Sequence, residues 1–187
     1  MSLANTRFYS EWEEVIAENE KIVDKKTSED LIAHYKLGVA YANLGEIEKS
    51  VDVFKAIQDE DYLNELRDLI INYRIMLRRE PDNIKAINYL AFAYYIAHMD
   101  SEAKEMFEQL IELDPENIWV YNYLAIVNQE LENYQETERN LRTALEIKDN
   151  EYSHFLLGVN YYRQGDLVKA NYYMLKGRRV ARTFFNL

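Results

Sequence analysis

Three histidines and one dense run of carboxylates are the side chains of this sequence best suited to chemistry. His34 and His154 occupy matching places, each three residues before a leucine (Leu37 and Leu157), while His98 stands apart. A histidine can serve as acid, base or metal ligand near neutral pH, but catalysis needs further groups converging on it. With no Cys in the chain, thiol nucleophiles, disulfides and thiolate metal sites are excluded. The carboxylates from Glu11 through Glu13 and Glu14 to Glu20 are interleaved with Trp12, Val15, Ile16, Asn19 and Val23. That spacing reads as a solvated helix face around an apolar one, without the glycine and alternating ligands of a calcium loop. His34 and His154 therefore read as packing or capping residues, and His98 as a helix-end residue that suits the helix dipole. The chain is expected not to be an enzyme and to carry no metal and no cofactor.

The elements that hold these residues follow from composition. The 187 residues are 48% hydrophobic with Gly 5 and Pro 2, enough apolar side chain for a continuous core and few turn-makers for a many-stranded sheet. An all-α chain is the expectation. A formal net charge of −11 repels polyanions, so nucleic acid is not an expected partner. The longest nearly apolar run, Tyr89 to Met99, is interrupted by His98 and falls short of the roughly 20 residues that span a bilayer. No membrane span and no secretory signal are read, and a cytoplasmic location is expected.

Aligned on itself, the chain shows Leu37-Gly38, Leu90-Ala91, Leu124-Ala125 and Leu157-Gly158 as equivalent pairs. Four residues after each leucine stand Tyr41, Tyr94, Asn128 and Tyr161, and eight after it Gly45, His98, Glu132 and Gly165. The first offset is one helical turn, and the second marks a helix end, where Gly adopts left-handed geometry without a Cβ clash. A small residue follows at Ser50, Ala103, Thr137 and Ala170, and a large apolar one four residues later at Phe54, Phe107, Leu141 and Met174. A small residue lets the second helix approach the first closely, and the large one fills the space a turn further on. Pro81 and Pro115 sit at unit ends, where Pro stops a helix interior but suits a junction.

The spacing is 34 residues from Leu90 to Leu124 and 33 from Leu124 to Leu157. A period of about 34 with Leu-Gly, Tyr, Ala, Phe and Pro in this order resembles the tetratricopeptide repeat. The resemblance implies a right-handed superhelical array of antiparallel helical hairpins, here about ten helices in a single domain over residues 1–187. Its parts are an N-terminal helix at 8–26, repeats at 31–58, 84–117, 118–150 and 151–183, and an extra helix at 61–79. That extra helix fills the 53-residue interval between Leu37 and Leu90. Asn128 in place of Tyr, and Ser50 and Thr137 in place of Ala, depart from the family pattern.

The same resemblance implies a non-catalytic protein-interaction scaffold, with a concave face lined by the first helix of each unit. On this chain the expected contacts for a peptide or partner segment are Tyr35, Asn88, Phe92, Tyr95, Trp119, Asn122, Phe155 and Tyr162, with Lys85, Tyr152 and Arg163 on the flanks. Tyr and Trp offer large contact area with few rotors to freeze. Tyr35 and Val39 stand where relatives that clamp chaperone carboxylates place Lys and Asn, so a carboxylate clamp is not expected. Residues 163–187 carry Arg163, Lys169, Lys176, Arg178, Arg179 and Arg182 against Asp166 alone, whereas residues 10–30 are acidic. The second expectation is accordingly association of two copies, a homodimer, through the C-terminal face.

Overall fold

The computed structural model describes residues 6–23, 30–55 and 60–185, with the side chains of 30, 60–63 and 183–185 outside that description. Among the described residues are eleven helices and no strand. They are α1 (Tyr9–Val23), α2 (Asp30–Leu44), α3 (Ile47–Lys55), α4 (Glu60–Leu77), α5 (Ile84–Ile96), α6 (Asp100–Leu113), α7 (Ile118–Glu130), α8 (Tyr134–Ile147), α9 (Glu151–Arg163), α10 (Leu167–Lys176) and α11 (Arg178–Phe185). The expected helix ends at 24–26 and 56–58 lie outside the described residues. The last unit differs from the expected hairpin: the apolar spacing continues past Gly177, but the chain breaks there into α10 and α11.

Short polar side chains start several of these helices. The side-chain oxygens of Asn83, Asn150 and Asp166 accept hydrogen bonds from the backbone N–H groups of Ala86 (3.0 Å), Ser153 (2.8 Å) and Lys169 (3.0 Å), satisfying donors that a first helical turn leaves unpaired.

Helix ends carry the repeat most directly. Gly45, His98, Glu132 and Gly165 have φ of 76°, 56°, 57° and 80°, so the left-handed corner recurs where the alignment places it. Each corner closes with the same two bonds. The next residue's N–H donates to the carbonyl five residues back, at Tyr41, Tyr94, Asn128 and Tyr161, over 2.9, 2.9, 2.8 and 3.0 Å. The corner residue's own N–H donates three back, to Ala42, Tyr95, Gln129 and Tyr162. This pair of bonds satisfies carbonyls that a helix end would otherwise leave open. His98 and Glu132 pay for the geometry with a Cβ that left-handed backbone disfavours, and both side chains are exposed. The double variant His98→Gly, Glu132→Gly is therefore expected to gain about 1 kcal/mol per site, raising Tm by roughly 4–8 °C in all. Thermal unfolding by circular dichroism measures it, and an unchanged or lowered Tm would contradict the strain.

Inside the hairpins the small and large positions interlock. A Cβ on Gly38 would meet the Phe54 ring at 2.8 Å, and one on Gly158 would meet Met174 Cγ at 2.6 Å. Ala103 and Ala170 are buried at the facing positions. Where the family pattern has Ala but this chain has Ser50 and Thr137, the hydroxyls donate to the carbonyls of Gly38 (2.8 Å) and Ala125 (3.3 Å), both small residues on the facing helix. The hydroxyls are accommodated because the close approach brings a backbone acceptor within reach.

The chain divides into two compact units, Met1–Trp119 and Val120–Leu187. In the first, α1 packs on α2, α2 on α3, α4 on α5 and α5 on α6, with α2 also reaching α4 and α5. α4 buries Leu66, Leu69 and Tyr73, while Ile71, Ile75 and Met76 are exposed. In the second unit, α9 is central: α8, α10 and α11 all pack on it, around Leu141, Leu156, Leu157 and Tyr161.

Candidate partner-binding surface

In the first unit, aromatic side chains fill the space between helices. The Tyr35 ring lies 6.1 Å from both Phe54 and Tyr89, and its hydroxyl donates to the Tyr89 carbonyl. Phe92 stacks on Phe54 at 6.2 Å and meets Phe107 edge-on at 5.5 Å. Trp119 is 2% exposed, and its ring occupies the corner at Gly45, where an added Cβ would lie 2.3 Å away. Asn88 is buried and donates to the Ile84 carbonyl at 2.9 Å. In the second unit, Asn122 accepts from Ser153 Oγ at 2.7 Å, and Phe155 is buried.

The expectation that the chosen residues line an open face is therefore corrected for Tyr35, Asn88, Phe92, Trp119, Asn122 and Phe155, which are buried. Their rings and amides complete the packing between helices, where burial of aromatic area stabilises most. Tyr95 is half-buried and Tyr162 is 62% exposed. Of the flanking residues, Lys85 and Tyr152 are half-buried. Arg163 donates to the Gln129 carbonyl (3.1 Å) and pairs with Glu130 (2.9 Å) at the C-terminal end of α7, where a cation complements the helix dipole.

His154 is buried, with Nε2 2.7 Å from Asp149 Oδ1 and its ring stacked on Tyr173. No group of three or more His, Asp or Glu residues among the described residues is placed to hold a metal ion. No helix among them is long and apolar enough to cross a membrane.

The first unit also contains a cleft of about 370 Å³ where α1, α2, α4 and α5 meet. Tyr73, Met76 and Tyr89 supply its apolar wall, and Glu18, Lys36 and Lys85 its charges. Tyr73 meets Tyr89 at 5.1 Å, and Trp12 meets Tyr89 edge-on at 6.2 Å. Burial pushes the Tyr73 phenol up to about 12. Burial, then the nearby Tyr73 and Glu18, raises Tyr89 as well, so both stay neutral at physiological pH. Tyr41 is raised by burial and by the 2.6 Å bond its hydroxyl donates to Glu20. That bond ties α1 to α2 and makes Glu20 a structural partner as well as part of a solvated face. Of the cleft's charged and aromatic lining, Lys85 alone stands among the partner contacts and flanks expected from sequence. The signal for the others is the 53-residue interval between Leu37 and Leu90, since an added helix must create new walls beside its neighbours.

Fold and surface together define a protein built from repeated helical hairpins, the kind of scaffold that binds other proteins. Two tetratricopeptide repeat family models match, at residues 33–61 and 106–139; the second begins in α6 and ends in α8, half a hairpin out of step with the units above. The chain carries tetratricopeptide repeats in these stretches. Its fold is similar to that of solved MamA structures. MamA MSR-1 is 18% identical over 93% of this chain and 89% of that one, with a TM-score of 0.54. MamA from residue 41 to the end, from Desulfovibrio magneticus RS-1, is 16% identical over 96% and 98%, with a TM-score of 0.54. MamA AMB-1 is 18% identical over 93% and 92%, with a TM-score of 0.53. A search of curated proteins finds no match.

Proposed function

We propose that the chain is a non-catalytic adaptor that holds a segment of a partner protein, and that the cleft of the first unit is one place where it does so. The observation that carries this reading is the cleft's lining. Beside the apolar wall of Tyr73, Met76 and Tyr89 stand two lysines, Lys36 and Lys85, against one carboxylate, Glu18, and neither lysine forms an ion pair among the described residues. Such a lining suits a carboxylate side chain next to an aliphatic or aromatic one, because the ring faces take the apolar group while the ammonium groups take the charge. In the second unit, Tyr162 is a sequence-expected contact that is 62% exposed, a separate place for a partner to touch.

The test is selection from a displayed random peptide library on the wild type, followed by affinity measurement with a Lys36→Glu, Lys85→Glu double variant. Enriched peptides are expected to carry Asp or Glu beside a large apolar residue. The double variant is expected to weaken them by at least about tenfold, the scale of losing charge-assisted bonds. Peptides bound equally by both proteins would remove the cleft from the proposal, and a selection that enriches nothing would remove peptide binding altogether.

A further inference from the structure

The outer face of α10 is unlike that of the other second helices. Relative to the small residue that faces the first helix (Ser50, Ala103, Thr137, Ala170), the positions two before, two after and five after are exposed in every hairpin. In α3 they hold Glu48, Asp52 and Lys55, in α6 Ser101, Glu105 and Glu108, and in α8 Gln135, Arg139 and Arg142. In α10 they hold Val168, Tyr172 and Leu175, which are 83%, 54% and 62% exposed. The repeat itself therefore does not require apolar side chains there. Steps of four and three residues put all three on one stripe of the helix. α11 packs mainly on α9.

We infer that this stripe docks an amphipathic helix of another protein, apolar on one face and edged with Asp or Glu. Lys169 and Lys176 follow the stripe along one edge by helical geometry; Lys169 pairs with Asp166 at 3.3 Å across an exposed surface, and the Lys176 ammonium stands 5.1 Å from the Tyr172 ring centroid. An acidic edge on the partner complements them. A helix fits better than a strand because the backbone groups of α10 are already bonded within the helix, leaving no ladder to extend. A second copy of this chain fits poorly. Antiparallel symmetric pairing would set the lysines of the two stripes against each other, and the other exposed apolar stripe, Ile71 and Ile75, has Asp68 on one edge but three arginines, Arg67, Arg74 and Arg78, on the other. A membrane surface fits poorly too, since the stripe spans a helix of 10 residues with a cationic edge on one side only.

The probe is a displayed library of helical peptides bearing an apolar stripe at the same spacing, in acidic-edged and basic-edged sets, applied to the full chain. Acidic-edged peptides are expected to enrich and to lose at least about tenfold in affinity against Val168→Glu, Leu175→Glu. The variant Lys169→Glu, Lys176→Glu is expected to reverse the preference toward basic edges. Circular dichroism checks that both variants keep their helix content, and the charge-reversal variant leaves the apolar stripe intact. Equal enrichment of both sets, or of neither, would overturn the inference. So would a change in sedimenting mass on mutating the stripe, which would make a second copy the occupant. Stripe-dependent binding to phosphatidylserine vesicles would assign it to a membrane. None of these outcomes bears on the Lys36 and Lys85 cleft, so the two proposals fail separately.

Discussion

Gly177→Ala is expected to release the C-terminal end of the second unit. A Cβ there would lie 2.6 Å from the carbonyl oxygen of Glu151 and 2.6 Å from the backbone nitrogen of Phe155. Both atoms belong to the first turn of α9, and backbone in a packed helix cannot rotate aside as a side-chain tip can. The φ of −93° at Gly177 is one that any residue adopts, so the whole effect is one of space. Overpacking of this kind costs about 3 kcal/mol, or roughly 6–12 °C in Tm for a chain of this size. Moving α10 and α11 off α9 would also break the bond from the Arg179 N–H to Glu151 at 3.1 Å. Limited trypsin digestion should therefore cut faster at Arg178 and Arg179 in the variant. An unchanged melting curve together with unchanged digestion would mean that this turn does not rest on α9.

The second large effect is expected at the other end, from Trp12→Ala. Trp12 is 1% exposed and meets Tyr89 edge-on at 6.2 Å, so truncation removes most of what holds α1 to the aromatic cluster. Buried Trp→Ala changes cost about 3–5 kcal/mol. The Tyr41 to Glu20 bond would remain but is too small to compensate. Because Val15 and Glu18 of α1 line the cleft, peptides selected there should lose affinity in step with stability. Denaturant unfolding followed by circular dichroism measures the first effect and peptide titration the second. A loss below about 1 kcal/mol would show that α1 contributes little to the unit.

Much of the fold is legible in the residues because the repeat constrains the backbone at points where side-chain type matters. The left-handed corner demands Gly or tolerates His98 and Glu132 at one offset, and the close approach of two helices demands Gly38 opposite Phe54 and Gly158 opposite Met174. The candidate surface is less legible. Which side of a first helix faces water depends on what packs against it, and α1 and α4 add neighbours that a repeat period does not describe. Tyr35 and Phe92 have the composition of a binding face, yet an aromatic residue suits an interhelical gap equally well, and the pattern alone does not separate the two. The α10 stripe is legible once hairpins are compared position by position, since Val168, Tyr172 and Leu175 break a polar rule that the other three units keep.

The link ahead of α1 has a consequence for chain connectivity. Thr6 donates its hydroxyl to Asp114, and the Arg7 N–H lies 3.4 Å from the same carboxylate, across 108 and 107 residues of sequence. Asp114 stands in the turn just before the first unit ends at Trp119. These two bonds fasten the segment that leads into α1 to the turn after α6, closing a loop through α1 to α6, so that stretch of chain is pinned at both ends and not only through its helix packing.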